Sequence, residues 1–455
     1  MKIAAVFLLF LPAVLQCQTT PTPVVRFHTN LGDIDVNLLP GSAPLTVANF
    51  MNYMNRGAYD NSIIHRSVAK FVIQGGGYQL INHTLTAITT DPAVKSESGL
   101  SNSRGTLAMA LSAGSNGVTD PNSGTDQWFF NEVDNAASLN NQGFTVFGRV
   151  ANAASLAVMD KIGAVNIFNG LFASPYDAIP LINYRSGDTV QDSNYVTVIS
   201  VSLLANPSGI VSASGFGGYP AAAPGSYVEI KGSNLAATTR TWGSTDFKDG
   251  NAPTTLDGVS VTINGQPAYV YYVSPGQLNV QVPANVPSGG SVPVIVTTNN
   301  QPGPAISLPL KPLAGGLLAP PTFLVNGKQY VAAFHADGTT FVSTGNIPGT
   351  TAAPAAPGET VIFYGLGFGP VMPSTASFAG QVAQGQSSIT NSVQFKFGSS
   401  TGQVVYSGLA PNYVGLYQFN VVVPVDVPNG DTALTVVLGG DTVPQTLFIP
   451  VQAKP

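Results

Sequence analysis

The chain of 455 residues holds one cysteine, Cys17, and four histidines, His28, His65, His83 and His335. A single cysteine excludes a disulfide scaffold and any cysteine-based zinc site. The histidines form no HxxxH-type pair for a metal. Charge is scarce as well: Asp, Glu, Lys and Arg make up 9% of the residues, against roughly a quarter in an ordinary globular protein. The net charge of -5 excludes a globally basic nucleic-acid binder. Low charge beside 44% hydrophobic residues also excludes a disordered polyelectrolyte. Beyond the N-terminus no apolar run reaches the roughly 18 residues that a membrane-spanning helix needs. What is plentiful is 49 Gly and 35 Pro. With Ser, Thr and Asn, these turn-formers point to an exported, β-rich protein. The length suggests roughly three domains at about 150 residues each.

Lys2 is followed by an uninterrupted apolar run over residues 3–15, and polar residues begin at Gln16. A positive start and a short apolar core predict a secretory signal over 1–17, which makes the protein periplasmic or extracellular. Cys17 follows Val14-Leu15-Gln16, a loose lipobox in which Gln16 stands where a small residue is usual. A lipid anchor through Cys17 therefore stays open.

Residues 24–204 mix strand patterns with two helical ones. Over 44–56, Val47, Phe50, Met51 and Met54 fall on one helical face, with Pro44 in the first turn and Gly57 as a stop. Over 153–162, Leu156, Met159 and Ile162 do the same. Residues 205–219 are rich in Pro, Ser, Gly and Ala and read as a linker. Beyond them short alternating strands recur between Gly, Pro and Asn, the pattern of β-sandwiches. This half also repeats. QLNVQVP at 277–283 is echoed by QFNVVVP at 418–424, and VPSG at 286–289 by VPNG at 427–430, both at an offset of 141 residues. Pro224-Gly225 is echoed by Pro357-Gly358. We expect two related sandwiches, 220–312 and 352–455, joined by a connecting segment, 313–351.

Within residues 24–204 the motifs VRFHTNLGDIDVNL, IIHR (63–66), FVIQGGG (71–77), RGTLAMA (104–110), DQWFFN (126–131) and FTVFGRV (144–150) follow one another. In kind and order they resemble the cyclophilin family of peptidyl-prolyl isomerases, in its bacterial branch. The resemblance implies a closed antiparallel β-barrel with two capping helices, so the whole chain reads as mainly β: this barrel followed by two immunoglobulin-like β-sandwich domains. It implies isomerisation about Xaa-Pro bonds with no cofactor and no metal. The implied partners are proline-containing peptides or unfolded exported proteins, without nucleic acid and without a transmembrane segment.

The implied catalytic residues are Arg66, which would act at the prolyl nitrogen, Gln74, which would orient it, and Phe71 in the pocket wall. Substrate binding falls to Val72, Phe129, Leu139 and Phe144 as pocket residues, to Ala108, Met109 and Ala110 as a segment pairing with the peptide backbone, and to Gln127 as a hydrogen-bonding neighbour. The chemistry suits these residue types. A prolyl bond turns slowly because amide resonance sets a barrier of about 18–20 kcal/mol. A fixed guanidinium aimed at the nitrogen opposes that resonance while an apolar pocket grips the ring, and no nucleophile is needed.

The sequence departs from the family at four places, one of them Trp128, where phenylalanine is usual. Val72 stands where methionine is usual, Phe144 replaces a pocket-edge histidine, and Ser138 aligns with a tryptophan of the eukaryotic pattern. That tryptophan governs cyclosporin binding, so weak sensitivity is implied. Trp128, by strand alternation, points into the core. His65 reads as a structural histidine, and Gly75-Gly76-Gly77 as a backbone need rather than a phosphate loop. Asp120 to Asp126 only superficially suggests a calcium loop.

The sandwich half resembles a region found at the ends of exported bacterial proteins of uncharacterised function, on VSVTINGQPAYVYYVSPGQLNVQVP (259–283) and PGETVIFYGLGFGPV (357–371). Tyr269, Tyr271 and Tyr272 are either strand packing or a patch for a surface ligand, and Asp426 and Asp431 read as turn residues. A catalytically silent proline-peptide-binding protein, or an adhesion protein of the cell envelope, remains the alternative function.

Overall fold

The computed structural model describes residues 22–114, 117–214, 221–344, 351–373 and 379–453. The expected signal and Cys17 lie outside them. The chain divides into two compact units, one spanning 22–204 and the other holding residues 205–455.

The first unit is a barrel. Its strands are β1 (Val24–Thr29), β2 (Gly32–Leu38), β3 (Ser62–Ile63), β4 (Arg66–Val68), β5 (Val72–Gly75), β6 (Tyr78–Ile81), β7 (Thr84–Ala87), β8 (Thr106–Met109), β9 (Trp128–Asn131), β10 (Val146–Val150) and, after a small hairpin of β11 (Ile167–Asn169) and β12 (Ala178–Pro180), β13 (Thr197–Leu203). The antiparallel ladder runs β4-β5-β9-β8-β10-β2-β1-β13-β3-β6-β7. Strands β3 and β4 stand far apart in that order, yet only Ile64 and His65 separate them in the chain. Two residues span at most about 11 Å between their flanking neighbours, so the ladder has to curl back on itself. The barrel's seam is thus bridged by the chain itself rather than by a further ladder.

Two long helices lie on the barrel: α1 (Pro44–Asn55), and, beyond the single turn α2 (Ala136–Leu139), α3 (Ala153–Gly163). In α1 the buried face is Thr46, Val47, Phe50, Tyr53 and Met54, with Met51 half-buried at its margin. Gly57, at φ +69°, ends it as expected. Its N-terminus has no cap of its own. Glu97, from a distant loop, accepts from the amides of Leu45 and Thr46 at 3.1 and 2.8 Å and from Thr46 Oγ1 at 2.9 Å. In α3, Asn152 caps the start by accepting from the Ser155 amide, and Met159 and Ile162 are buried. The third helix, α2, was too short to leave a periodic signal.

The barrel core joins Phe27, Ile34, Val36, Phe50, Tyr59, Ile73, Trp128, Phe130 and Phe147. A second, separate cluster holds Val72, Ala108, Phe129, Leu139 and Val146, with Phe71, Ala110 and Phe144 packed against it. Strand alternation creates this division: Ile73 and Phe130 face inward while their neighbours Val72 and Phe129 face the opposite side.

The second unit is built of two sandwiches. In the first, a five-stranded sheet (Asn206–Ser212, Tyr227–Ser233, Gln277–Gln281, Tyr269–Val273 and Arg240–Thr241) faces a six-stranded sheet around Val259–Ile263 and Gly290–Thr298. The expected linker is therefore partly a strand: Asn206–Ser212 pairs with Tyr227–Ser233. Its Gly, Pro and Ser disguise an edge strand, where proline is tolerated. In the second, an eleven-stranded sheet turns between layers along Ser400–Leu409, which pairs with both Tyr417–Val422 and Val393–Phe397. The segment expected as a connector contributes Gly316–Leu317, Ala333–His335 and Phe341–Val342 to that same sheet.

The repeat is visible in the register. Tyr227 lies opposite Gln281, and Thr360 opposite Val422. These are the equivalents given by the two offsets in the sequence. Each central strand also meets its neighbour across a bulge, between Val270 and Tyr272 in one and between Val404 and Tyr406 in the other. One hydrophobic cluster includes Val261 and Val280 of the first sandwich and Leu366 and Leu416 of the second.

Candidate active site

A row of directly opposed residues crosses five adjacent strands of the barrel. Arg66 on β4 lies opposite Gln74 on β5, Gln74 opposite Phe129 on β9, Phe129 opposite Ala108 on β8, and Ala108 opposite Val146 on β10. Opposed residues of a ladder share a face. The row therefore sets a guanidinium, an amide, an aromatic ring, a methyl group and an isopropyl group side by side. Phe71, just before β5, Leu139, at the end of α2, and Phe144, just before β10, stand around the apolar part. Phe129 and Phe144 meet edge to face, with centroids 5.6 Å apart. Ala108 is fully buried in the same cluster.

The polar part is linked by hydrogen bonds. Arg66 Nη1 donates to Gln74 Oε1 at 3.2 Å, and Gln74 Nε2 donates to Gln127 Oε1 at 2.9 Å. All three side chains are half-buried, so the guanidinium is held but keeps a solvent-facing side. His65, beside it, is 1% exposed. Burial and the charge of Arg66 push its imidazole down to about 4, against a smaller opposing hydrogen bond with Gln127. It is neutral at physiological pH and packs edge-on to Tyr78, centroids 5.0 Å apart.

The glycine run has a steric cause. A Cβ on Gly75 would lie 2.7 Å from the Trp128 ring, one on Gly76 2.6 Å from Trp128 Nε1, and one on Gly77 2.7 Å from Gln127 Nε2. These glycines let the buried indole and the Gln127 amide lie directly against the backbone. Trp128 itself is core, against Phe27 and Phe130.

Of the sequence-derived residues, the structure thus gathers Arg66, Gln74 and Gln127 into one polar chain. It gathers Phe71, Val72, Ala110, Phe129, Leu139 and Phe144 into one apolar cluster. Ala108 and Met109 stand differently from their expected role. Both lie in β8, an interior strand paired with β9 on one side and β10 on the other, so their backbone is occupied. Met109 also turns its side chain into the main core. Ala110, one residue beyond the strand, is half-buried at the pocket margin, its amide donating to Gln127 O at 2.9 Å. Ser138 is exposed, so no aromatic wall rises there.

Sequence reasoning missed a buried amide network behind the pocket. Asn135 Nδ2 donates to Phe71 O and to Asn131 Oδ1, both at 2.8 Å. Asn131 Nδ2 donates to Thr106 Oγ1 at 2.8 Å and Asn102 Oδ1 at 3.2 Å. Asn102 Nδ2 reaches Phe144 O, and Asn135 O accepts from the Leu139 amide. Three pocket walls, Phe71, Leu139 and Phe144, are thereby tied to three buried asparagines. The one available signal was Asn131 ending the apolar run WFFN, with Asn135 four residues later.

Other singled-out residues have local tasks. Asp120 Oδ1 accepts from the Asn122 amide and Asp120 O from Ser123 Oγ, which makes a turn. Among the described residues, no three of His, Cys, Asp and Glu come together as metal ligands, and no helix is long and apolar enough to cross a membrane. Tyr271 and Tyr272 are buried, Tyr271 edge-on to Trp242. Asp426 accepts from Ser400 Oγ, and Asp431, on a strand rather than in a turn, pairs with Lys328 at 2.9 Å.

The model of the cyclophilin type peptidyl-prolyl cis-trans isomerase/CLD family matches residues 24–183, and that of the IPT/TIG domain matches 218–310. Peptidyl-prolyl cis-trans isomerase B of Escherichia coli is 40% identical over 150 residues, which covers 31% of this chain and 85% of that protein. An isomerase of Acinetobacter baylyi is 37% identical over 147 residues, with 31% of this chain and 72% of that one covered. Peptidyl-prolyl cis-trans isomerase A of Dickeya dadantii is 36% identical over 167 residues, covering 36% and 80%. The likeness falls on the barrel that carries the Arg66 row and takes in most of each relative's length. By that measure the chain belongs to the cyclophilin-type peptidyl-prolyl cis-trans isomerases, with a TIG sandwich on the same chain.

Proposed function

We propose that the Arg66 guanidinium drives the isomerisation, in an exported protein that acts on proline-containing segments of unfolded exported clients. The row Arg66–Gln74–Phe129–Ala108 on one sheet face carries this reading. The proline ring sits over Ala108 between Phe129, Leu139 and Phe144. A guanidinium N–H then faces the prolyl nitrogen, whose lone pair is freed as the bond twists out of conjugation. The donor is stronger for the twisted nitrogen than for the planar amide, which is the differential that accelerates a reaction. Gln74 fixes the guanidinium plane, so little reorganisation is left for the transition state. No covalent bond forms or breaks.

The test is cis/trans isomerisation of a prolyl peptide by the full chain. Arg66→Ala is expected to cut kcat/KM by on the order of 10²-fold, and Gln74→Ala by less. An unchanged rate in Arg66→Ala overturns the assignment. A wild type that binds proline peptides without turning them over favours the silent binding module instead. Export rests on the apolar run after Lys2. Mass spectrometry of the mature N-terminus checks it: a retained Met1 speaks against export, and a diacylated Cys17 establishes the anchor.

A further inference from the structure

Residues 139–144 leave the proline pocket and return to it. Leu139 and Phe144 both belong to the pocket cluster, whereas Asn140–Gln142 and Gly143 between them line a separate, open groove of about 680 Å³. Its opposite wall includes Ser96, Ser98, Thr119 and Pro121. The walls are joined to one another. Thr119 Oγ1 donates to Gln142 Oε1 at 2.9 Å, and Ser96 Oγ to Gly143 O at 2.7 Å. Pro121 lies so close to Gly143, at φ +84°, that a Cβ there would be 2.6 Å from it. Among the described residues, no charged side chain lines the groove. Ser98 and Asn141 are exposed at its mouth. The volume is in the range of peptide- and ligand-sized sites, roughly 300–1,000 Å³.

We propose that this groove is a specificity subsite for the residues flanking the substrate proline, and that it selects uncharged polar segments. The proposal rests on the isomerase reading above. The groove and the pocket share the short segment 139–144, and an extended peptide advances about 3.3–3.6 Å per residue. A side chain one or two places from the proline therefore reaches it. Ser, Thr, Asn or Gln there exchanges water for the groove's amides and hydroxyls. A Lys or Asp gives up part of its hydration and meets no opposite charge among the described lining residues.

The experiment uses the full chain and peptides that share a central Ala-Pro and carry Ser, Asn, Lys or Asp at the flanking positions, on either side. The wild type is expected to favour Ser and Asn peptides in kcat/KM. Asn141→Asp is expected to raise the Lys-to-Asp peptide ratio by about three-fold and Asn141→Lys to lower it by about as much, the size of an exposed ion pair. Both shifts should shrink at high ionic strength, which a merely structural effect would not do. An active wild type whose preference does not move in either variant overturns the groove alone. A wild type inert towards every peptide overturns the isomerase reading and the groove with it.

Discussion

Arg66 sits beside a histidine that stays neutral, and this has a consequence for stability. The unfolded chain takes up a proton at His65 near pH 6.5, the folded chain only near 4. Between those values the unfolded state binds more protons. Stability is thus complete above about pH 6.5 and falls as the pH drops through that window, by about 3 kcal/mol in all. His65→Gln should flatten the pH dependence of the urea midpoint between pH 7 and 4.5, and an unaltered slope would contradict the buried neutral imidazole. The asparagines behind the pocket act at the same scale. Asn135→Ala strips the donor from buried Asn131 Oδ1 and one of two donors from Phe71 O, which keeps the Glu132 amide at 3.0 Å; one buried acceptor is left unpaired, at about 1–3 kcal/mol. We expect KM for a prolyl peptide to rise more than kcat falls, because the wall loosens while Arg66 stays in place. Steady-state kinetics on a folded variant separate the two.

Among the elements, α1 shows how a helix is finished by a residue far away in the sequence. Its apolar face was legible from Val47, Phe50 and Met54, and its end from Gly57. Its start was legible from Pro44, but its cap was not, because that is Glu97. Glu97→Ala should cost about 1–2 kcal/mol and increase hydrogen exchange at the Leu45 and Thr46 amides, whereas Glu97→Gln should retain part of the cap. The same limit applies to β8. Its motif marked residues 108–110 as a unit near the substrate. How far their backbone is occupied depends on the two strands that flank β8: only residue 110 lies beyond both ladders, and its amide still donates to Gln127 O.

At the scale of the second unit, the repeat pointed to the sandwiches but not to their association. Buried Gln281 holds it together. Its Nε2 donates to Gly225 O at 2.9 Å in its own sandwich, and its Oε1 accepts from the Gly380 amide of the other at 2.8 Å. Both sandwiches also share one apolar cluster. Gln281→Leu should lower the stability of this unit by about 2–4 kcal/mol. Its transition should shift as one step; splitting into two would show that the sandwiches unfold separately.

The amino-acid sequence by itself determined the β-rich character, the family of the barrel, the repeat, and the choice of Arg66, Gln74, Phe71, Phe129 and Phe144 as candidate site residues. These follow from local patterns: alternation, turn residues, and motifs whose members lie within a few positions of one another. Tertiary structure alone decided the ladder position of Ala108, the asparagine clamp, the cap at Glu97 and the strand hidden in the expected linker. Each of these is a hydrogen bond or a ladder position between segments far apart in the chain. Such pairings depend on which strands become neighbours, and short polar residues such as Asn102, Asn131 and Asn135 carry no periodic signal of being buried partners.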